Sequence, residues 1–115
     1  MPKENIQIVA SPGAHDGLKV LHIKGPLTIH TLFDFQEAVR SANSLSLIVD
    51  FSGVPFIDSA GLGALVGAHV SAQKAQRKLA IAATNAKVKA LMDMTHVSQL
   101  FPTFPTIKDA EAAIS

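Results

Sequence analysis

Ile57-Asp58-Ser59-Ala60-Gly61-Leu62-Gly63 joins two segments of opposite character. Before it, Leu45-Ser46-Leu47-Ile48-Val49-Asp50-Phe51 is a near-continuous apolar run of strand length, the pattern of a central strand buried on both faces. After it, apolar residues recur at helical spacing from Leu62 to Lys78, and Leu62, Leu65, Val66, His69 and Val70 are predicted to form one stripe. The run is therefore a strand-to-helix junction, where the first N–H groups of a helix have no partner within it. Asp58 and Ser59 both supply a side-chain oxygen there. Such an oxygen either caps the helix or faces outward.

Upstream of the junction, Ile6, Ile8 and Ala10 alternate with Asn5, Gln7 and Val9, a strand ended by Ser11-Pro12-Gly13. Residues 12–17 read as its hairpin loop. Leu18-Lys19-Val20-Leu21-His22-Ile23-Lys24 is a clearer second strand, stopped by Gly25-Pro26. From about Thr31 the period turns helical, with Leu32, Phe35, Ala38, Val39 and Ala42 on one face, until Asn43-Ser44.

Downstream, the three cations of Lys74-Ala75-Gln76-Arg77-Lys78 are expected to form the last turn of the long helix, complementing its dipole. Residues 79–83 form a fourth strand, and Thr84-Asn85 supplies the cap of a helix from Ala86 to about Met94. Residues 95–99 read as a loop, then 100–104 as a short, proline-interrupted edge strand. Thr106-Ile107-Lys108-Asp109 resembles a capping box opening a last helix that ends near Ile114. The order β-β-α-β-α-β-α-β-α predicts a single α/β domain over residues 1–115. The junction lies at the C-terminal end of a strand, where such sheets receive ligands and partners.

Composition removes several function classes. Ten Lys and Arg against nine Asp and Glu leave a net charge of +1, with no basic stripe to track nucleic acid. The absence of cysteine excludes disulfides, thiol catalysis and thiolate metal sites. No His, Asp and Glu cluster has metal-ligand spacing, so no metal or other cofactor is predicted. Gly61-Leu62-Gly63 does not extend to a dinucleotide fingerprint, although Gly67 sits nearby; Gly63 and Gly67, four apart, are expected to permit close packing. Met1-Pro2-Lys3-Glu4-Asn5 lacks the apolar core of a signal peptide, and no run approaches the ~18 apolar residues of a membrane span. A cytoplasmic chain without direct membrane insertion is the expectation. A hydrolase elbow, Gly-x-Ser-x-Gly, fails at Ile57, and a base for Ser59 would have to be His69, on the predicted stripe, or His96, in a polar loop. Hydrolysis at Ser59 is not expected.

Ser59 itself admits two readings. As an N-cap its oxygen accepts an N–H from the first turn. As a switch it accepts a phosphate, roughly −1.5 to −2 charges at a helix start whose dipole tolerates them, although Asp58 opposes them.

The sequence from Asp50 through Ser52-Gly53-Val54-Pro55-Phe56 to Gly63 resembles the signature of the STAS domain family, specifically its bacterial anti-sigma-factor antagonists. Gly25, Asn85 and Leu91-Met92-Asp93-Met94 also fall where that family has equivalents, so the likeness spans nearly the whole chain. The resemblance implies a mixed sheet of four to five strands with about four helices packed mainly on one side. It implies a binding role: the unphosphorylated antagonist captures an anti-sigma factor, a serine kinase of the histidine-kinase-like ATPase type, and so frees a sigma factor. The kinase phosphorylates the serine after the motif aspartate, here Ser59, and a phosphatase reverses it. Asp58, Ser59, Ala60, Gly61, Leu62 and Gly63 are then the partner-binding residues. Two departures stand out. Ala60 replaces a frequent second serine, and Gly25-Pro26-Leu27-Thr28 replaces a Gly-Glu-Leu-Asp loop. The second departure leans toward the alternative, a STAS accessory subunit of an ABC-type lipid transporter. A small-ligand-sensing STAS module has no support beyond apolar content.

Overall fold

The computed structural model describes residues 5–114. The reading of Met1-Pro2-Lys3-Glu4 as no part of a leader lies outside the described residues. Strand β1 (Gln7–Pro12) pairs antiparallel with β2 (Leu18–Lys24), and β2, β3 (Ser46–Gly53), β4 (Lys78–Ala82) and β5 (Thr103–Phe104) continue the sheet in parallel. The spatial order is β1-β2-β3-β4-β5, a five-stranded mixed sheet. Each parallel step is bridged by a helix: α1 (Leu32–Ser41), α2 (Ser59–Lys74) and α3 (Ala86–Met94), while α4 (Ile107–Ile114) closes the fold.

Strand alternation divides the interior in two. Leu21, Ile23, Leu47, Val49, Phe51 and Ile81 point to one face and bury against α1, α2 and α3 through Phe35, Val39, Ala64, Leu65, Ala68, Val88 and Met92. Leu18, Val20, Ile48, Ala80 and Ala82 point to the other, where Ala110 and Ile114 of α4 meet them, with Ile107 and Phe104 partly buried alongside. Phe35 and Phe51 are wholly buried, each contributing roughly 1.5–3 kcal/mol of apolar transfer. The helices thus pack mainly on one side.

Several local expectations change. Strand β1 runs on through Pro12, which pairs in register with Lys19. Because Gly13 donates its N–H to the Leu18 carbonyl (2.8 Å), the preceding position faces the open edge, where a missing N–H costs no ladder bond. Only two residues of the fifth strand form; Val97–Leu100 is a 3₁₀ turn instead, begun by His96 at φ 63°, and Phe101 is buried in the larger core. The cations after α2 do not close it. Lys74 alone lies in its last turn, Gln76 turns left-handed (φ 57°), and Arg77 reaches across to donate to the Ser44 (2.7 Å) and Val39 (3.2 Å) carbonyls at the end of α1. Lys78 opens β4.

The stripe predicted on α2 is also revised. Its buried residues are Gly61, Ala64, Leu65, Ala68 and Ala72, while Val66 (36 % exposed) and Val70 (41 % exposed) face outward. Leu62 packs half-buried on the core, and His69 meets Phe101 edge-on at 5.5 Å between centroids. Alanine and glycine bring the helix close to the sheet around Leu65, and Val66 and Val70 are left on the opposite side. Apolar residues all round a helix give periodicity nothing to discriminate.

Candidate functional site

The junction between β3 and α2 is fixed by a second strand-like connection. The segment after β2 runs beside it: Leu27 donates its N–H to the Phe56 carbonyl (3.2 Å), Asp58 returns one to the Leu27 carbonyl (3.2 Å), and Leu27 and Ile57 form a parallel bridge. Gly25 begins this segment at φ +121°, a conformation side chains rarely adopt, and a Cβ there would lie 2.3 Å from the Asn5 carbonyl oxygen. Thr28 and Thr31, both buried, fold the rest of it. Thr31 Oγ1 accepts the Thr28 N–H (2.9 Å) and donates to the Pro26 carbonyl (2.8 Å), and Thr28 Oγ1 accepts the His30 N–H (3.1 Å). Sequence reasoning noted Thr28 only for the carboxylate it lacks. Its structural work, repeated at Thr31, follows the local Ser/Thr turn chemistry of short loops.

Asp58 is the N-cap of α2, in extended backbone (φ −105°, ψ −175°). Its Oδ1 accepts the Gly61 N–H (2.8 Å), and its Oδ2 accepts the Ile29 N–H across the junction (3.2 Å). Both carboxylate oxygens are therefore committed, one to the helix and one to the neighbouring segment. Ser59 is left as the first helical residue, exposed, and among the described residues its hydroxyl makes no hydrogen bond. Of the two candidate caps, aspartate takes the role and serine stays open to water.

The two glycines of the junction do different things. A Cβ on Gly61 would stand 2.2 Å from the Leu27 carbonyl oxygen, so only glycine lets α2 start against this segment. A Cβ on Gly63 would meet nothing within 4 Å, and the same holds for Gly67. The close packing expected at Gly63 and Gly67 is absent, because both face solvent. Ala60 and Leu62 are half-buried. From Ser59 to Gln73 the helix carries no Asp, Glu, Lys or Arg, so its outward side is uncharged.

Exposed apolar side chains lie on the elements next to the junction. Ile29, tethered to Asp58, is 56 % exposed; Phe33 on α1 is 72 % exposed. Phe56, Ile57, Val88, Leu91 and Met94 line a hollow of about 290 Å³ beside the junction, with Lys87 at its margin. Asn85 holds this side together. Its Oδ1 caps α3 by accepting the Val88 N–H (2.8 Å), and its Nδ2 donates to the Val54 (3.2 Å) and Pro55 (3.1 Å) carbonyls. The cap was legible in the sequence; the clamp on the junction loop was not, since it links residues 30 apart. The segment from Gly25 to Thr28 adds no carboxylate, so the negative charge next to Ser59 is that of Asp58.

This geometry agrees with similarity to known proteins. The STAS domain family model matches residues 6–110, and the chain belongs to that family. It is 23% identical over 94 residues to a Paenibacillus polymyxa protein described as an anti-sigma F factor antagonist, covering 78% of this chain and 80% of that one. The crystal structure of an anti-sigma factor antagonist from Mycobacterium paratuberculosis superposes with a TM-score of 0.83 at 24% identity, covering 96% of this chain and 94% of the other. A sulfate transporter family protein from Wolinella succinogenes has the same fold, with a TM-score of 0.77 at 18% identity and coverage of 85% and 84%. No helix among the described residues is long and apolar enough to cross a membrane.

Proposed function

We propose that this chain is an anti-sigma-factor antagonist that works by partner switching. One observation carries the reading: Asp58, not Ser59, caps α2, so the hydroxyl at the head of the helix stays exposed and free of protein partners. In the unphosphorylated form, the surface of Ser59, Ala60, Leu62 and Gly63, flanked by Ile29 and Phe56, docks an anti-sigma factor by apolar contact and releases a sigma factor. Gly61 and Asp58 shape that surface from beneath. A phosphate on Ser59 adds roughly −1.5 to −2 charges beside the Asp58 carboxylate, in the middle of an apolar contact area. Docking then fails by desolvation and repulsion, with no need to refold. The partner is itself a serine kinase of the histidine-kinase-like ATPase type, and a phosphatase restores the hydroxyl. The regulatory domain acts in the cytoplasm and is not an enzyme.

The alternative reading, an accessory subunit of an ABC-type lipid transporter, draws on one feature: the segment from Gly25 to Thr28 has no carboxylate for a kinase to recognise, and the uncharged side of α2 suits a permanent contact. Titration calorimetry separates the two. An antagonist binds the anti-sigma kinase and loses that binding on phosphorylation of Ser59. A transporter subunit binds the transporter ATPase instead, with or without phosphate.

A further inference from the structure

The outer face of the sheet carries a second serine with more chemical support than Ser59. Three adjacent strands contribute to it. The Ser11 Oγ on β1 lies 2.9 Å from His22 Nε2 on β2, and His22 Nδ1 lies 2.8 Å from Asp50 Oδ2 on β3. The other carboxylate oxygen of Asp50 accepts the Ser52 N–H (2.9 Å). The Asp50 side chain is 8 % exposed and that of His22 40 %, so the relay runs from a buried anchor to an accessible end.

The protonation pattern follows from the partners. Burial pushes the Asp50 carboxyl up, but hydrogen bonds from the Ser52 backbone and from the His22 and Ser52 side chains outweigh it and hold the carboxyl below its ordinary value. An ionised Asp50 can only accept, so the hydrogen of that contact sits on His22 Nδ1. In the neutral ring Nε2 is then the acceptor, and the Ser11 hydroxyl donates to it. This is the order of groups that activates a serine nucleophile: alcohol, imidazole base, buried carboxylate.

The surroundings define what reacts. Helix α4 covers Leu18, Val20 and Ile48 but leaves the His22 end of the face open, where Gln7, Val9, His22, Lys24, Asp50 and Ser52 line a hollow of about 360 Å³; Ser11, paired with Val20, lies beside this hollow and not in its lining. Val9 there is 62 % exposed. Ser11 is half-buried, which restricts it to a small acyl donor. Residue 12 is proline, so the N–H that follows the nucleophile in serine hydrolases and stabilises the oxyanion is missing. Acylation and deacylation both lose that donor, so only an activated ester reacts and the acyl product is slow to hydrolyse.

We propose that Ser11 is an acyl-acceptor site, activated by His22 and Asp50, that takes a small acyl group from an activated ester. The Ser11 oxygen attacks the ester carbonyl as its proton passes to His22 Nε2. A new oxygen–carbon bond forms, the ester bond to the leaving group breaks, and the imidazolium gives its proton to the departing alkoxide or to water, releasing the alcohol or its anion. The product is an ester on β1, remote from the junction.

The test uses p-nitrophenyl acetate on the full chain, with peptide mapping by mass spectrometry. Ser11 acquires an acetyl group that hydroxylamine removes, with a burst of about one equivalent of nitrophenolate. Ser11→Ala abolishes that adduct, and His22→Gln slows it at least ~10-fold, a modest share of the usual general-base contribution. Ser71→Ala, an exposed serine without a histidine partner, acetylates Ser11 at the unaltered rate. Should His22→Gln fail to fold, the folded wild type is compared with the same chain in urea, and Ser11 reacts at least ~10-fold faster when folded. Acetyl groups on lysines alone, an unchanged rate in folded His22→Gln, or equal rates folded and unfolded would overturn the proposal.

Discussion

The heads of α2 and α3 are built alike and behave differently. Both helices start after a parallel strand and both are capped by an Asx side chain, Asp58 or Asn85, that accepts an N–H three residues on. The carboxylate can only accept, so the second oxygen of Asp58 gathers the Ile29 N–H. The amide also donates, so Asn85 holds the carbonyls of Val54 and Pro55. Together they pin the junction loop from both sides. What distinguishes them is the next residue: alanine at 86, a free hydroxyl at 59. A rigid platform with one chemically addressable atom, beside a fixed negative charge, is what a phosphate-operated docking surface requires.

Changing that atom has the largest expected effect. Ser59→Asp weakens binding of the anti-sigma kinase by about 100-fold, about 2.7 kcal/mol, with the thermal midpoint nearly unchanged. A collapsed midpoint in a melting curve would recast Ser59 as structural. Gly61→Ala comes next, because its Cβ would strike the Leu27 carbonyl; a loss of about 1–3 kcal/mol is expected in urea unfolding. A wild-type midpoint would mean that α2 does not start against Leu27.

Asp58→Ala removes a cap and a cross-link, costing about 1 kcal/mol in the same assay. Asn85→Asp is the sharper companion. It keeps the oxygen that caps α3 and loses the donors to Val54 and Pro55, so it destabilises by roughly 0.5–1.5 kcal/mol even though the helix cap survives. Equal stability to wild type would reduce Asn85 to a cap alone. Gly63→Ala has the smallest effect and the opposite sign. With open space around the new methyl group, it stabilises α2 by about 0.5–1 kcal/mol, and it weakens partner docking if that side of the helix is the contact surface.

The order of strands and helices was legible because central strands and short capped helices carry strong local signals. Strand β2, the Asn85 cap and the Phe35 and Val39 face of α1 follow their sequence pattern. The revised elements lacked such a signal. Helix α2 is apolar all round, so Val66 and Val70 were indistinguishable from its core face. Arg77 leaves its helix to serve carbonyls more than 30 residues back, which no window reveals. The junction motif marked Asp58 and Ser59 but not which of them caps, since both fit the position. The His22 and Asp50 pair was invisible for a simpler reason: it depends on the parallel register of β2 on β3.

The most direct measurement is phosphosite mapping after incubation with the anti-sigma kinase and ATP, followed by a binding assay on the product. The account predicts one phosphate per chain, on Ser59, and loss of kinase capture by the modified protein. Stoichiometric phosphate at another residue, or undiminished capture after Ser59 is phosphorylated, would contradict it.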